Sequence, residues 1–247
     1  QNGNAANATL TIGNSLNSSG TFAGIIQDGA GGGALGLFKA GGGTLTLSNG
    51  GNTHSGGTTL SGGTLNYGHV AALGGGTVTF AANSILQAGV AGTLANAIVI
   101  NTGVSGTFDT QANNATLSGI VSGAGSLVKA GAGALTLSNA ANSLSGGITL
   151  NAGTLAYGDV AALGDGSVTL AANSTLRAGV AGTVANDLVL NNGITGTFDA
   201  QTNNVTLSGD ITGQGQLLKM GTGTLFLSGA NTYSGGTLIS QGGSLQG

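Results

Sequence analysis

The sequence predicts an all-β fold, a parallel β-solenoid that occupies residues 1–247 as a single segment. Three observations predict this fold: a glycine-rich composition with little charge, an internal repeat of 90 residues, and a finer spacing of short apolar triplets within each repeat. The composition indicates the type of secondary structure, and the two spacings indicate how the strands stack.

Composition favours short strands over every other regular structure. Glycine accounts for 52 of the 247 residues, whereas proline and cysteine are absent and 4% of the residues are charged. Glycine at this frequency disfavours helices, and the absence of proline excludes a collagen triple helix. A hydrophobic share of 40% is too high for a disordered chain. Gly, Asn, Ser and Thr between short apolar runs favour many short strands joined by tight turns.

The scarcity of charge excludes several classes of function. Four Lys or Arg residues and seven acidic residues give a formal net charge of −3. The chain therefore lacks the basic patch that a nucleic-acid partner requires. Its apolar runs are too short for a membrane-spanning helix, and the polar opening QNGNAANAT does not resemble a signal peptide. We expect no nucleic-acid partner and no direct membrane contact.

A shift of 90 residues aligns most of the chain with itself. Residues 41–120 and 131–210 are identical at 53 of 80 positions without a gap. The predicted division of the solenoid is a partial copy at 1–30, complete copies at 31–120 and 121–210, and a partial copy at 211–247. Because copies are cut within their length, we expect the chain to be a segment of a longer protein.

Apolar triplets recur within each copy at intervals of 13 to 20 residues, for example at Val168 and Leu188. A spacing near 20 suits a solenoid coil of two or three short strands with their turns. The spacing predicts about four to five coils per copy and roughly a dozen in the chain. Since strand side chains alternate, the first and third residues of each triplet should fill a narrow apolar core.

The third copy carries a family resemblance in LLKMGTGTLFLSGANTYSGGTLISQGGSL, residues 217–245. This stretch resembles the passenger-associated, or autotransporter-associated, β-strand repeats of bacterial autotransporter passengers. The first two copies depart from the Asn-Thr-Tyr of that pattern, with Asn52-Thr53-His54 and Asn142-Ser143-Leu144. The resemblance implies a right-handed parallel β-helix that is exported to the surface of a Gram-negative bacterium. It also implies a translocator barrel outside this segment, which would be the only part in contact with the membrane.

Candidate catalytic groups are scattered rather than clustered. Asp109 and Asp199 recur between copies but should lie about 20 Å apart along the rod, too far to act on one bond. His54 and His69 are the only histidines and both lie in the first copy, so Ser145 has no base in its own copy. Two His residues without Cys or Glu are too few for a metal site. We expect no catalytic residue, cofactor or metal.

One slot of the repeat holds every lysine of the chain, Lys39, Lys129 and Lys219. We expect these lysines and Arg177 to point into solvent, with the lysines along one side of the rod at intervals of about 20 Å. The neighbouring leucines would then lie outward or at a bend, which the sequence leaves open for Leu37, Leu127 and Leu217.

A second slot holds an asparagine at one corner of each copy. We expect its amide to bond to neighbouring coils, since asparagine also tolerates the turn conformation. The residues concerned are Asn52, Asn142 and Asn231.

Outward-facing threonines raise the possibility of an ordered surface array. We expect Thr46, Thr136, Thr149 and Thr169 to project outward without a constant register, which disfavours an ice-binding role.

The interpretation that unites these observations is a non-enzymatic structural or adhesive stalk segment of a large secreted bacterial surface protein. Its expected partners are copies of itself, associated laterally or end to end, and a host-surface or glycan ligand. The alternative is a β-helical polysaccharide-acting enzyme, or another passenger, whose active residues lie outside this segment. An unrepeated cluster of acidic and basic residues would favour the enzyme, and the sequence contains none.

Overall fold

The computed structural model describes residues 6–13 and 17–247, so residues 1–5 and 14–16 of the predicted partial copy lie outside the described residues. Every regular element within those ranges is a β-strand, and no helix occurs there. The strands in chain order are β1 (Ala8–Ile12), β2 (Gly20–Phe22), β3 (Leu35–Lys39), β4 (Thr44–Leu47), β5 (Thr58–Leu60), β6 (Thr64–Tyr67), β7 (Val78–Phe80), β8 (Ser84–Ala88), β9 (Gly92–Leu94), β10 (Ile98–Ile100), β11 (Ser105–Asp109), β12 (Ala115–Leu117), β13 (Val121–Gly123), β14 (Ser126–Ala130), β15 (Ala134–Leu137), β16 (Ser143–Leu144), β17 (Ile148–Leu150), β18 (Thr154–Tyr157), β19 (Val168–Leu170), β20 (Thr175–Ala178), β21 (Gly182–Val184), β22 (Leu188–Leu190), β23 (Thr195–Asp199), β24 (Val205–Leu207), β25 (Ile211–Gly213), β26 (Gln216–Met220), β27 (Thr224–Leu227), β28 (Thr237–Ile239) and β29 (Ser244–Gln246).

The strands pair in parallel and form four sheets. Sheet 1 has the order β1-β3-β5-β7-β10-β13-β16, and sheet 2 has the order β2-β4-β6-β8-β11-β14-β17-β19-β22-β25. Sheet 3 has the order β28-β26-β23-β20-β18-β15-β12-β9, and sheet 4 has the order β21-β24-β27-β29. Because consecutive strands of the chain belong to different sheets, the chain winds around a common axis.

Each coil visits up to three sheets before it returns to the first. For example, β10, β11 and β12 lie in sheets 1, 2 and 3, and β13 returns to sheet 1. In later coils sheet 4 takes the place that sheet 1 has in earlier coils, after sheet 3 and before sheet 2. The stack makes about 11 turns, which confirms the predicted parallel β-solenoid.

Strand alternation fills the interior of the stack. In β19 the side chains of Val168 and Leu170 are buried and that of Thr169 faces outward. Inward residues of successive coils join into one apolar core that extends from Ile26 to Leu225. Burial of each such aliphatic side chain contributes about 1.5–3 kcal/mol to folding.

The 90-residue copy does not contain a whole number of coils. The first complete copy opens with β3 in sheet 1. The chain then returns to sheet 1 four times, with β5, β7, β10 and β13, and the next copy opens with β14 in sheet 2. The corresponding strand of the third copy, β26, lies in sheet 3. One copy therefore makes four coils and one further strand, so each copy is rotated by one sheet relative to the copy before it.

Candidate functional site

The three lysines are buried, contrary to our expectation that they point into solvent. Lys39, Lys129 and Lys219 have relative exposures of 2%, 0% and 0%. Plain strand alternation explains this, because in β14 both Leu127 and Lys129 face inward. The open question about the neighbouring leucines is resolved in the same way, with the inward leucines being Leu37, Leu127 and Leu217.

A corner of the stack surrounds the ammonium group of Lys129 with oxygen acceptors. Its Nζ donates to the carbonyl oxygens of Ala130 at 2.8 Å, at the end of its own strand, and of Gly131 at 2.7 Å, in the turn that follows. The Thr110 hydroxyl of the preceding coil lies at 3.0 Å and the Ala152 carbonyl of the following coil at 3.2 Å, so the three N–H groups are shared among four acceptors. The single side chain therefore connects three successive coils.

The turn that receives this ammonium group requires glycine. Gly131 has a φ of 78°, and a Cβ at that position would lie 2.3 Å from the backbone nitrogen of Gln111. Only glycine can combine a positive φ with such close approach of the preceding coil. The lysine-plus-glycine pattern of the sequence thus specifies a corner with converging carbonyl groups.

The three lysine corners differ in the number of acceptors. Lys39 donates to three carbonyl groups, those of Ala40, Gly41 and Gly62 at 2.8–3.1 Å. Lys219 donates to two, those of Met220 at the end of its own strand and Gly221 in the following turn. Lys219 has no equivalent of the Thr110 hydroxyl, because Ala200 occupies the aligned position in the second copy. Counted over the described residues, Lys129 therefore has the largest number of acceptors.

Burial lowers the pKa of all three lysines, because it removes water from the charged form. The pKa of Lys129 falls to about 8, although the negative charge of Asp109 partly opposes the shift. Asp199 opposes the pKa shift of Lys219 in the same way. Within the described residues the one ion pair joins Arg177 to Asp199, so the lysines are held by carbonyl dipoles rather than by carboxylate partners.

The lysines do not line one side of the rod, and that expectation was wrong. Lys39 lies in sheet 1, Lys129 in sheet 2 and Lys219 in sheet 3. The cause is the extra strand in each copy, which turns every repeated position to the next sheet. The lysines consequently form three separate corners and share no site.

The corner asparagines connect coils through both ends of the amide. Asn142 accepts a hydrogen bond from the backbone nitrogen of Val121 at 2.7 Å and donates to the carbonyl of Ala162 at 2.7 Å. Asn52 does the same with the coils on either side of it, at 2.8 and 2.6 Å. Asn231 accepts from the backbone nitrogen of Ile211 at 2.9 Å. These amides replace strand pairing where the chain runs irregularly around a corner.

The structure contains a buried pair of a histidine and a threonine that the sequence did not predict. His54 is fully buried, its Nε2 lies 3.2 Å from the Thr58 hydroxyl oxygen, and its Nδ1 has no partner in the described residues. Burial lowers the pKa of this imidazole. The available signal was covariation between copies, since the aligned pair is Leu144 with Ile148 in the second copy.

The outward face of the repeat carries a short polar ladder. In the first copy Asn66 donates to Gln87 at 3.0 Å and Gln87 donates to Asp109 at 2.9 Å. In the second copy Arg177 replaces the glutamine and donates from Nε to Asp199 at 3.1 Å, with 39% of the arginine side chain exposed. Arg177 is thus the one cation of the described residues that faces outward, as predicted.

The surface depressions are shallow and repeat with the chain. One of about 460 Å³ is lined by residues such as Thr154, Ser174 and Thr197. Another of about 410 Å³ lies at the equivalent positions of the first copy, near Thr64 and Ser84. Within the described ranges no three His, Cys, Asp or Glu side chains lie close enough to hold a metal ion. Those ranges also contain no helix of the length and apolarity needed to cross a bilayer.

Comparison with known proteins gives one match. A family model described as passenger-associated-transport-repeat matches residues 37–66, 127–156 and 217–246. Each match begins two residues before a corner lysine and continues past the corner asparagine. No curated protein and no solved structure matches the chain.

Proposed function

We propose that this chain, which matches the passenger-associated-transport-repeat model three times, is a segment of an autotransporter passenger and acts as a non-enzymatic stalk. In this proposal the rod is secreted to the surface of a Gram-negative bacterium, holds other parts of its protein away from the cell, and associates with copies of itself. The family and the solenoid support the first part, because passengers of this kind are exported and extended.

One observation supports the structural role most strongly: the polar groups at the repeated slots are used to connect coils. Lys129 contacts the preceding and following coils, and Asn142 bonds to the coils on both sides. Donors committed to backbone carbonyl groups are not free to bind a substrate. Nearest-neighbour connections of this kind suit a rod whose stability adds up coil by coil.

Deletion of residues 121–210 tests the proposal, because it removes one whole copy and joins equivalent positions. We expect the shortened chain to fold with the same β-sheet circular dichroism per residue. Its maximum dimension in small-angle X-ray scattering should fall by about 21 Å, which is four and one-third coils at about 4.8 Å each. Loss of folding would contradict the modular stalk, and cleavage of a bacterial or host polysaccharide by the intact chain would contradict the non-enzymatic role.

A further inference from the structure

An uninterrupted line of outward-facing, β-branched residues crosses sheet 2. We call it the threonine rank; it begins at Thr44 on β4 and continues in register, strand by strand, to Thr212 on β25. Six of its nine positions are threonine, namely Thr44, Thr64, Thr107, Thr149, Thr169 and Thr212. The other three are Ile85, Val128 and Val189, and all nine side chains are half-buried.

The four threonines singled out in the sequence do not share one register, as expected, although two of them belong to the threonine rank. Thr149 and Thr169 are direct neighbours in the rank, whereas Thr46 lies in a parallel line on sheet 2 and Thr136 lies on sheet 3. Differences in coil length are absorbed at the corners, so the strands keep their register although the sequence spacing varies.

The hydroxyl groups of the threonine rank are unused within the chain. None of its six threonine side chains has a hydrogen-bond partner among the described residues. The adjoining line on the same sheet behaves differently, because Asn66, Gln87 and Asp109 bond to one another. Asp109 is also the one outward charge in the ten strands of sheet 2, since Lys129 faces inward.

We propose that the threonine rank is the surface through which a second copy of this chain docks side by side. The proposal rests on the self-association proposed above and assigns it to one face. The rank suits its own copy chemically, because each hydroxyl is both donor and acceptor and the methyl groups pack across a face of parallel strands. Two copies of an uncharged rank also meet without electrostatic repulsion.

The dimensions of the rank indicate a weak contact in each segment. Its nine positions extend over about 38 Å at about 4.8 Å per strand, and a line about 10 Å wide buries only a few hundred Å² per copy. That area is below the roughly 800 Å² per partner of a stable interface. Strength then comes from repetition along a longer rod, where many weak contacts act together.

Full overlap of two ranks places Val128, the fifth of nine positions, against Val128 of the second copy. This holds whether the two rods run parallel or antiparallel, because the position is central. The chain contains no cysteine, so a single Val128→Cys substitution reports the contact. Val99→Cys is the matched control, an outward, half-buried valine at the centre of a strand in sheet 1.

The test is oxidative cross-linking of each cysteine variant, together with sedimentation velocity of the unmodified chain over a range of concentrations. We expect Val128→Cys to form disulfide-linked dimers at least about tenfold faster than Val99→Cys, because a disulfide needs Cα atoms within about 7 Å. Equal or faster linking of Val99→Cys would overturn the threonine rank while leaving self-association in place. A monomer at every concentration would overturn both proposals.

A charge test checks the same face without a covalent bond. The double variant Thr149→Lys and Thr169→Lys introduces like charges into the rank and should weaken association at least about tenfold. The control, Thr59→Lys and Thr79→Lys, places the same charges on neighbouring outward positions of sheet 1 and should leave association unchanged. Thermal unfolding of all variants verifies that they remain folded, and an equal loss of association in both pairs would contradict the assignment.

Discussion

The same corner is filled in two ways in the first and second copies of the repeat. In the second copy Leu144 and Ile148 are both buried apolar side chains, with relative exposures of 2%. In the first copy His54 and Thr58 take those places and form a hydrogen bond inside the stack. The fold therefore requires that the space be filled, and it accepts polar groups if both members of the pair change together.

The first copy also has features that the second lacks. The Nδ1 atom of His54 is buried without a partner in the described residues, and a buried unpartnered polar atom costs about 1–3 kcal/mol. The lysine of the second copy, Lys129, has four acceptors, against three for Lys39 in the part of the chain that the structure describes. We therefore expect the second copy to be the more stable part of the rod.

Replacement of Lys129 by alanine should be the most damaging of these changes. It removes the group that joins three coils and takes the lysine donor from the Gly131 and Ala152 carbonyl groups, whereas the Ala130 carbonyl keeps its hydrogen bond from the Thr110 backbone nitrogen. We expect the free energy of unfolding to fall by about 3 kcal/mol, measured by denaturant titration. Lys219→Ala, with two acceptors lost, should cost less; an equal cost would show that acceptor number does not set the stability of a corner.

We call His54 with Thr58, and their aligned residues Leu144 with Ile148, the corner pair. Because both members of the corner pair differ between the copies, we expect strong coupling between them in a double-mutant cycle. Leu144→His alone places an imidazole against Ile148 and should cost about 2 kcal/mol, because the ring nitrogen has no hydroxyl partner. Adding Ile148→Thr reproduces the pair of the first copy and should recover about 1 kcal/mol. Additive effects in thermal unfolding would mean that the two positions change independently.

The corner pair of the first copy should make the protein sensitive to mild acid. Burial lowers the pKa of His54 in the folded chain, so the unfolded chain, with an ordinary pKa near 6.5, binds the proton first. Stability attributable to His54 is therefore present above about pH 6.5 and is lost as the pH falls from there through the lowered folded pKa.

The control for this acid sensitivity is the double variant His54→Leu and Thr58→Ile, which installs the pair of the second copy. It should gain about 1 kcal/mol at pH 7 and should lose less stability than the unmodified chain between pH 7 and pH 5. Parallel stability curves for the two proteins over that interval would exclude His54 as the titrating group.

A substitution in the outward polar ladder should change the free energy of unfolding least. Arg177→Gln gives the second copy the glutamine–aspartate pair of the first, where Gln87 donates to Asp109 at 2.9 Å, although Ala156 stands in the place of Asn66. The pair of Arg177 with Asp199 is partly exposed, so the change in unfolding free energy should stay below about 0.5 kcal/mol. A loss above 1 kcal/mol in denaturant titration would show that the ion pair contributes more than a surface contact does.

Sequence patterns were sufficient to predict the solenoid, because the periodicity of apolar triplets and the copy length are properties of the chain itself. The triplet Val168–Leu170 alternates as predicted. The direction of Lys129 was not predictable from the usual solvation of lysine, because the carbonyl groups that stabilise it come from turns in different coils. Its inward leucine neighbour, Leu127, was the available signal.

The sheet on which each repeated residue lies was not predictable from the sequence, for a different reason. The corner regions 48–57 and 68–77 contain no strand, so counting strands from the sequence does not count coils. A copy of four coils and one further strand rotates Lys39, Lys129 and Lys219 onto three sheets. The same uncertainty at the corners concealed the constant register of the threonine rank.

Amine labelling tests most directly whether the three lysines are buried. The folded chain should be treated with an amine-acylating reagent at pH 9, above the pKa of about 8 of Lys129, so that a proton no longer protects that amine. Mass spectrometry should show that Lys39, Lys129 and Lys219 remain unmodified in the folded chain and react rapidly once the chain is unfolded in denaturant. Modification of the three lysines at the same rate in the folded and the unfolded chain would contradict their burial.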